Sequence, residues 1–190
     1  MRVLGDDQPS YSAWLGELSY SSRLDIGCQG VLLVEGPTEV LCFQEFLRKI
    51  KKDQKYVLLQ LGGSSLINER VAPQLLELTR IVGPENTYAY IDSERNAEGD
   101  SLAIDRQGFL DACESIGITA QASQRRATEN YFSQAGIAKA FGEGFQSLTH
   151  FQKIKEAAKP WHKSGNWKIA REMSFSEIET TDLGIFLSAL

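Results

Sequence analysis

Residues 31–39 read VLLVEGPTE, an apolar run followed by a Gly-Pro turn that lies between two glutamates. The run is short and apolar on both faces, which is typical of a strand buried within a parallel sheet. Residues 40–50 are then apolar at helical spacing, and Pro37 suits the first turn of a helix. This segment predicts a strand, a tight turn and a helix.

The same alternation continues along the chain. Apolar runs at residues 56–61, 87–91 and 118–123 predict three further strands. Helical patterns occur at residues 65–81, where Pro73 interrupts the pattern, and at 107–116, and Thr128 is expected to cap a helix through about Phe141. The alternation predicts an α/β fold, with a mostly parallel sheet of about four strands covered by helices. Ligands bind such sheets beyond the carboxyl ends of the strands.

The two ends of the chain depart from this alternation. Residues 1–29 predict a leader helix or linker, because Trp14, Leu15 and Leu18 recur at helical spacing. Residues 30–190 are expected to form one domain, since a second core would strain a chain of 190 residues. The last part, about 142–190, lacks strand signals and predicts a small helical cap with helices near 149–158, 167–173 and 182–189.

The composition is that of a globular chain. A hydrophobic content of 42% and a net charge of −5 exclude disorder, a coiled-coil rod and a strongly basic nucleic-acid coat. No apolar stretch is long enough for a membrane span, and the N-terminus carries Asp6 and Asp7 in place of a signal sequence. The three cysteines form no CxxC pair, which predicts reduced thiols. Together these features predict a soluble, cytoplasmic protein with no membrane partner.

Carboxylates directly follow two of the predicted strands. Glu35 and Glu39 flank the turn after the first strand, while Asp92 and Glu94 follow the third strand with Ser93 between them. If these strands are neighbours, the carboxylates meet at one edge and repel each other unless a cation or a proton intervenes. Oxygen ligands favour Mg²⁺, Mn²⁺ or Ca²⁺ over zinc. The pattern therefore predicts a site for a hard divalent cation.

The order of these motifs resembles the TOPRIM domain of topoisomerases, bacterial primases and certain nucleases. The segments that carry the resemblance are LVEGPTE at residues 33–39, Gly62-Gly63, and IDSE at 91–94. The segment RRATENYF at 125–132 is similar to the nucleases of the overcoming-lysogenization-defect (OLD) family. Those nucleases commonly have a lysine near the end of the domain, where Lys168 stands here. Glu94 departs from the family pattern, which more usually has aspartate. The resemblance covers roughly residues 30–190.

This resemblance implies a DNA endonuclease that uses two Mg²⁺ or Mn²⁺ ions about 4 Å apart. Ca²⁺ would then bind without supporting cleavage. One ion would be held by Glu35, Asp92 and Glu94. Glu39 and Glu129 are candidates for the second ion. The auxiliary oxygen donor would be Ser93, and the catalytic residues would be Glu35, Asp92 and Lys168, the lysine offsetting charge at the scissile phosphate.

The resemblance also implies partners. DNA is the expected substrate, with Arg125 and Arg126 as candidate phosphate contacts. OLD proteins usually join the nuclease to an ABC-like ATPase, but no GxxxxGK[ST] motif occurs in this sequence, so that ATPase would act from another part of a longer protein or from another chain. A homo-oligomer and a role in phage defence are further expectations.

Other interpretations of the same residues stay open. The acidic residues are also compatible with ordinary helix starts and turns, and the basic residues with a solvated surface. A non-catalytic TOPRIM-like module, which binds nucleic acid or regulates, is the main alternative function. A TOPRIM fragment of a primase or a topoisomerase is the other.

Overall fold

The computed structural model describes residues 27–63 and 67–190. The leader helix predicted within residues 1–29 therefore lies almost wholly outside the described residues. The sheet has the spatial order β2-β1-β3-β4, and every neighbouring pair of strands is parallel. The parallel α/β sheet predicted from the sequence is confirmed. Its strands are β1 (Gly30–Val34), β2 (Tyr56–Gln60), β3 (Thr87–Ile91) and β4 (Thr119–Ala122).

Helices cover both faces of this sheet. The α-helices of the described residues are α1 (Pro37–Lys49), α2 (Ala72–Val82), α3 (Ile104–Ile116), α4 (Gln134–Phe141), α5 (Asn166–Glu172) and α6 (Asp182–Ala189). Single 3₁₀ turns lie at Glu69–Val71, Pro84–Asn86, Thr128–Tyr131, Ile154–Glu156, Lys163–Gly165 and Phe175–Glu177. None of the helices in the described ranges is both long and apolar enough to cross a membrane.

Each face of the sheet has its own apolar core. Leu32 and Val34 pack on one face, against α1 and the C-terminal helices α4, α5 and α6. Val31 and Leu33 pack on the other face, against α2 and α3. Because a strand directs successive side chains to opposite faces, a strand buried on both faces must be apolar throughout. The helices predicted as a cap therefore form part of one of the two cores. All three cysteines are buried and free, as predicted.

The helix predicted from Thr128 to Phe141 is wrong in its first part. Residues Thr128–Tyr131 form a 3₁₀ turn, Phe132 is extended, and α4 begins only after Ser133. The Ser133 side chain caps α4 by accepting a hydrogen bond from the backbone of Gly136. Thr128 does not cap a helix. Its backbone nitrogen and its hydroxyl instead donate hydrogen bonds to the carboxylate of Asp92, the residue after β3.

The helix predicted at 149–158 is also wrong, because only Ile154–Glu156 forms a 3₁₀ turn there. A helix would need the carbonyls of Thr149 and Gln152 as acceptors for the residues four places later. The side-chain amide of Asn130 binds both of those carbonyls instead, at 2.6 and 2.9 Å. A tertiary contact therefore replaces the local pattern.

Smaller differences concern the ends of elements. The helix predicted from residue 65 begins at Ala72, after a 3₁₀ turn that Asn68 caps through the backbone of Arg70. The helix predicted from residue 107 begins at Ile104, and the fourth strand is one residue shorter at each end than predicted.

Asp182 joins the C-terminal helix to the carboxyl end of the sheet. Its carboxylate accepts hydrogen bonds from the hydroxyls of Tyr131 and Tyr90, at 2.6 and 3.0 Å, and from the backbone of Gln124 at 2.9 Å. As the first residue of α6, it also lies where the helix dipole favours an anion. These contacts hold α6 against β3 and the segment that follows β4.

Two helical glycines should respond oppositely to alanine. At Gly184 an added Cβ would lie 2.6 Å from Glu179 Cα and closer still to Ile178 O, whereas at Gly108 its nearest neighbours, Cβ, N and Cα of Glu69, would lie 3.5–4.0 Å away, at ordinary van der Waals distance. We expect Gly184→Ala to lower the free energy of unfolding by about 1–3 kcal/mol through overpacking. Gly108→Ala should raise it by about 0.5–1 kcal/mol through helix propensity. Urea unfolding measures both free energies. A free energy of unfolding that stays the same or rises in Gly184→Ala would contradict the close packing of α6.

Candidate active site

The carboxyl ends of β1 and β3 lie side by side, because these two strands are paired neighbours. Glu35 follows β1 and Asp92 follows β3. Glu39 lies in the first turn of α1, and Glu129 lies in the 3₁₀ turn after β4. We call Glu39, Asp92 and Glu129 the acidic cluster; they are only 6%, 3% and 5% exposed.

Asp92 is fixed by residues far from it in sequence. Its Oδ1 accepts hydrogen bonds from the backbone nitrogen and hydroxyl of Thr128, at 2.9 and 3.1 Å. Its Oδ2 lies 3.9 Å from the ammonium of Lys163, and the same ammonium lies 3.3 Å from Glu129 Oε1. Lys163 therefore bridges two buried carboxylates. The other oxygen of Glu129, Oε2, is buried without a hydrogen-bond partner.

Burial and mutual repulsion control the proton affinities of this cluster. Burial, followed by the charges of Glu39 and Glu129, raises the pKa of Asp92 well above its usual range, against the opposing effect of Lys163. Burial likewise raises the pKa of Glu129, although Lys163 partly offsets the rise. Burial alone would lower the pKa of Lys163, but the charges of Asp92, Glu129 and Glu39 raise it above its ordinary value. The lysine therefore stays charged.

A thiol lies within the field of the same cluster. Burial raises the pKa of Cys42 well above its usual range, and the charges of Glu39, Glu129 and Asp92 add to the rise. A thiol that resists deprotonation is a poor nucleophile and a poor metal ligand. Cys42 therefore acts as a small apolar residue of α1 beneath the carboxylates.

Glu35 lies beside the acidic cluster but is paired with Arg106. The guanidinium Nη1 of Arg106 lies 3.1 Å from Glu35 Oε2, and Nη2 lies 3.4 Å from Oε1. Nη1 also donates a hydrogen bond to the backbone carbonyl of Asp92. Because the Arg106 side chain is only 5% exposed, this pair is shielded from water. Arg106 thus joins the ends of β1 and β3.

Glu94 is held by a second arginine. The Arg126 guanidinium pairs with the Glu94 carboxylate, and it donates hydrogen bonds at 2.9 Å to the carbonyls of Glu94 and Arg95. Glu94 has a left-handed backbone with φ of 56°, which is uncommon for any residue other than glycine. The contacts from Arg126 stabilise this turn. Glu94 and Glu129 of the acidic cluster line the same groove, but the Glu94 carboxylate is paired with Arg126.

Ser93 and Arg125 are used in local packing. The Ser93 hydroxyl donates a hydrogen bond to the Arg125 carbonyl at 2.7 Å. The Arg125 guanidinium lies 4.7 Å from the ring centroid of Tyr131 and donates to the Asn130 carbonyl at 2.6 Å. These contacts order the segment between β4 and the 3₁₀ turn that carries Glu129.

Lys168 and Lys163 occupy different environments. Lys168 is exposed on α5, with its ammonium 5.9 Å from the ring centroid of Trp167. The lysine that contacts the carboxylates is Lys163, which the sequence interpretation missed. Lys163 lies in a single 3₁₀ turn, where no periodic pattern marks the inward side. Arg106, also missed, had a detectable signal: it shares the inward face of α3 with Phe109 and Cys113, three and seven residues later.

A groove opens beside the acidic cluster. It has a volume of about 520 Å³ and is flanked by apolar surface from Ile154, Pro160 and Trp161. We call it the basic groove, because four of the six Asp, Glu, Lys and Arg side chains in its lining are basic. These six are Glu94, Arg126, Glu129, Lys153, Lys155 and Lys163. Substrate that entered this groove would contact Glu129 and Lys163 directly.

The fit of a metal ion to these residues is mixed. Among residues 27–63 and 67–190, no group of three or more His, Cys, Asp or Glu side chains is arranged to hold an ion. The donors of the acidic cluster are nevertheless all carboxylate oxygens, which suit a hard divalent cation. The unpartnered Oε2 of Glu129 leaves a buried acceptor available to such an ion. Glu39, Asp92 and Glu129 therefore fit an ion better than Glu35 and Glu94, which are paired with arginines.

Comparisons with protein-family models, with curated proteins and with solved structures find no match to this chain. The resemblance to TOPRIM and OLD proteins therefore stays a prediction.

The raised pKa of Asp92 predicts a pH dependence of stability. The folded chain holds the Asp92 proton more tightly than the unfolded chain, whose ordinary value is near 3.8. As the pH rises above that value, the unfolded chain releases this proton before the folded chain does, so the folded state progressively loses stability. In EDTA, we expect Asp92→Asn to raise the free energy of unfolding relative to wild type at pH 8, by more than it does at pH 4.

Asp111→Asn is the matched control, because Asp111 is exposed on α3. It should change stability little and equally at both pH values. An equal change in the free energy of unfolding for Asp92→Asn at pH 4 and pH 8 would contradict the raised pKa of Asp92.

Proposed function

We propose that this chain is a metal-dependent DNA endonuclease with its centre at the acidic cluster and Lys163. The observation that supports this most is the burial of three carboxylates beside one ammonium, with Glu129 Oε2 unpartnered. Burying ionised groups costs several kcal/mol each unless they are fully compensated, on the order of what a whole domain can spare. Such arrangements are concentrated at functional sites, where perturbed carboxylates bind ions or transfer protons.

Glu39, Asp92 and Glu129 would hold the divalent cation. A bound Mg²⁺ or Mn²⁺ supplies an activated water and stabilises charge on the phosphate. The resemblance to TOPRIM nucleases implies two ions with Glu35 and Glu94 among the ligands. The arginine pairs of those two residues favour a first ion at the acidic cluster. Ca²⁺ would occupy the same oxygen ligands without supporting cleavage.

The other residues of the site orient and compensate. Thr128 fixes the Asp92 carboxylate through two hydrogen bonds, so that it loses little freedom when an ion or a substrate binds. Arg106 holds Glu35 against the Asp92 backbone. Lys163 is 42% exposed at its side chain and lines the basic groove, so its ammonium can contact a substrate phosphate and stabilise the charge that develops there.

A non-catalytic nucleic-acid-binding or regulatory module is the second candidate. The observation that favours it is the pairing of Glu35 and Glu94 with Arg106 and Arg126, which neutralises two carboxylates that the resemblance assigns to metal binding. Titration with Mn²⁺ separates the candidates: binding that is lost in Glu129→Gln favours the endonuclease, and no binding favours the module.

The wider setting of the proposal comes from the resemblance. An ABC-like ATPase, from the same protein or another chain, would control cleavage, and the system would act in phage defence. A homo-oligomer would place two sites on one duplex. We place the protein in the cytoplasm, in agreement with its free thiols.

Cleavage of supercoiled plasmid tests the proposed function. We expect nicking in Mg²⁺ or Mn²⁺, none in EDTA, and a loss of at least about 100-fold in Asp92→Asn and Glu129→Gln, since each removes a charged ligand. The measurement is the conversion of supercoiled to relaxed plasmid on a gel.

Asp111→Asn serves as the control here too and should cleave as the wild type does. Equal nicking by wild type, Asp92→Asn and Glu129→Gln would place any nuclease activity outside the acidic cluster and overturn the proposal.

The two lysines give a separate prediction about roles. Lys163→Met should lower the cleavage rate by about 100- to 1000-fold, the usual cost of removing one transition-state donor. Lys168→Met should stay within a few fold of wild type, because Lys168 lies away from the carboxylates in contact with Trp167. Initial rates at saturating Mn²⁺ measure both, and circular dichroism checks folding. The reverse order of effects would restore the role that the resemblance to OLD nucleases implies for Lys168.

A further inference from the structure

The charges of the basic groove do not balance. Arg126 is paired with Glu94, and Lys163 is shared by Asp92 and Glu129, which leaves Lys153 and Lys155 as additional cations of the lining. Among the ion pairs of the described residues, none involves these two lysines. The groove is thus locally cationic on a chain whose net charge is −5.

The two lysines are carried by a segment with a defined shape. Lys153 directly precedes the 3₁₀ turn Ile154–Glu156, and Lys155 lies within it. The side-chain amide of Asn130 binds the carbonyls of Thr149 and Gln152 and so helps to hold the segment that leads into this turn. Glu156 binds the backbone nitrogen of Lys153 at 2.9 Å through its own carboxylate. The turn therefore presents Lys153 and Lys155 from one fixed segment at the wall of the groove.

The lining also indicates which polyanion fits. Ile154, Pro160 and Trp161, the last only 8% exposed, form an apolar wall beside the cations. A duplex presents mainly phosphates to a protein wall that does not enter its grooves, and it gains little from apolar surface. A single strand exposes bases as well as phosphates, and proteins bind it with cations for the backbone and apolar or aromatic surface for the bases.

We propose that the basic groove binds single-stranded DNA, with Lys153 and Lys155 contacting backbone phosphates and the strand leading to Lys163 and the acidic cluster. This inference rests on the proposed function for its substrate class, and it adds that the strand bound next to the site is unpaired. An endonuclease of this kind acts on DNA that is locally unwound or already single-stranded.

The test measures binding without metal, so that cleavage plays no part. Fluorescence anisotropy of a labelled single strand of about 20 nucleotides, long enough to exceed one typical binding site, is recorded in EDTA over a range of KCl concentrations. The variant is Lys153→Gln/Lys155→Gln. The matched control is Lys51→Gln/Lys55→Gln, because these two exposed lysines lie just before β2, at the opposite end of the sheet.

We expect the variant to bind more weakly and to have a salt dependence that is reduced by about 1.4 in the slope of log K against log[KCl]. That figure corresponds to about 0.7 for each of two phosphate contacts on a single strand. The control should keep the wild-type slope. A duplex of the same sequence should bind the wild type more weakly than the single strand does.

Three outcomes would overturn the inference. The first is a slope in Lys153→Gln/Lys155→Gln equal to that of the control. The second is a duplex bound as tightly as the single strand. The third is displacement of the strand by millimolar inorganic phosphate or nucleoside monophosphate, which would make the groove a pocket for a small phosphate compound.

The result is separable from that of the plasmid assay. A reduced slope in a protein that cleaves no plasmid would retain the groove as a strand-binding surface and reject the endonuclease. Plasmid cleavage with an unchanged slope would retain the endonuclease and reject the groove.

Discussion

Three carboxylates buried within one another's field must be compensated, and most of the architecture near the carboxyl edge of the sheet meets this requirement. Asp92 is brought to that edge because β3 pairs with β1, and Glu39 because α1 begins directly after β1. Burial, and then the repulsion between these carboxylates, raises the pKa of Asp92, and nearby cations and hydrogen-bond donors oppose the rise. The 3₁₀ turns that carry Thr128 and Lys163 supply those donors.

Arginine and lysine side chains both offset the negative charge of the carboxylates, but the two kinds of cation do so in different ways. Arg106 and Arg126 engage Glu35 and Glu94 through planar guanidinium groups that also bind backbone carbonyls, which is suited to permanent structure. Lys163 is a point charge on a flexible stem, shared between Asp92 and Glu129 and partly open to the groove. Under the proposed function, Lys163 is therefore the cation that would exchange a carboxylate for a substrate phosphate.

The C-terminal region belongs to both the core and the site. Its helices α4, α5 and α6 pack on the same face of the sheet as α1, and Asp182 fastens α6 to the tyrosines at the sheet's end. Because this packing sets the position of the 3₁₀ turn at Lys163–Gly165, the same contacts that bury apolar surface also place the ammonium near Asp92. Core packing and site geometry are thus coupled in this region.

The strands, the parallel sheet and the edge where the acidic residues meet could be predicted from the sequence alone. These follow from local rules, because an apolar run such as Val31 to Val34 is stable only when both faces are buried, and the residue after such a strand must lie at the sheet's edge. The loop at 149–158 and the partners of the acidic residues depend on contacts between residues far apart in the sequence. The Asn130 amide binds two carbonyls within residues 149–158 and holds that segment in a non-helical path, and Arg106 and Arg126 pair with two of the predicted metal ligands. Lys163 approached Asp92 across a distance in sequence that no periodicity spans, because the pairing of buried charges depends on three-dimensional proximity and leaves no local pattern.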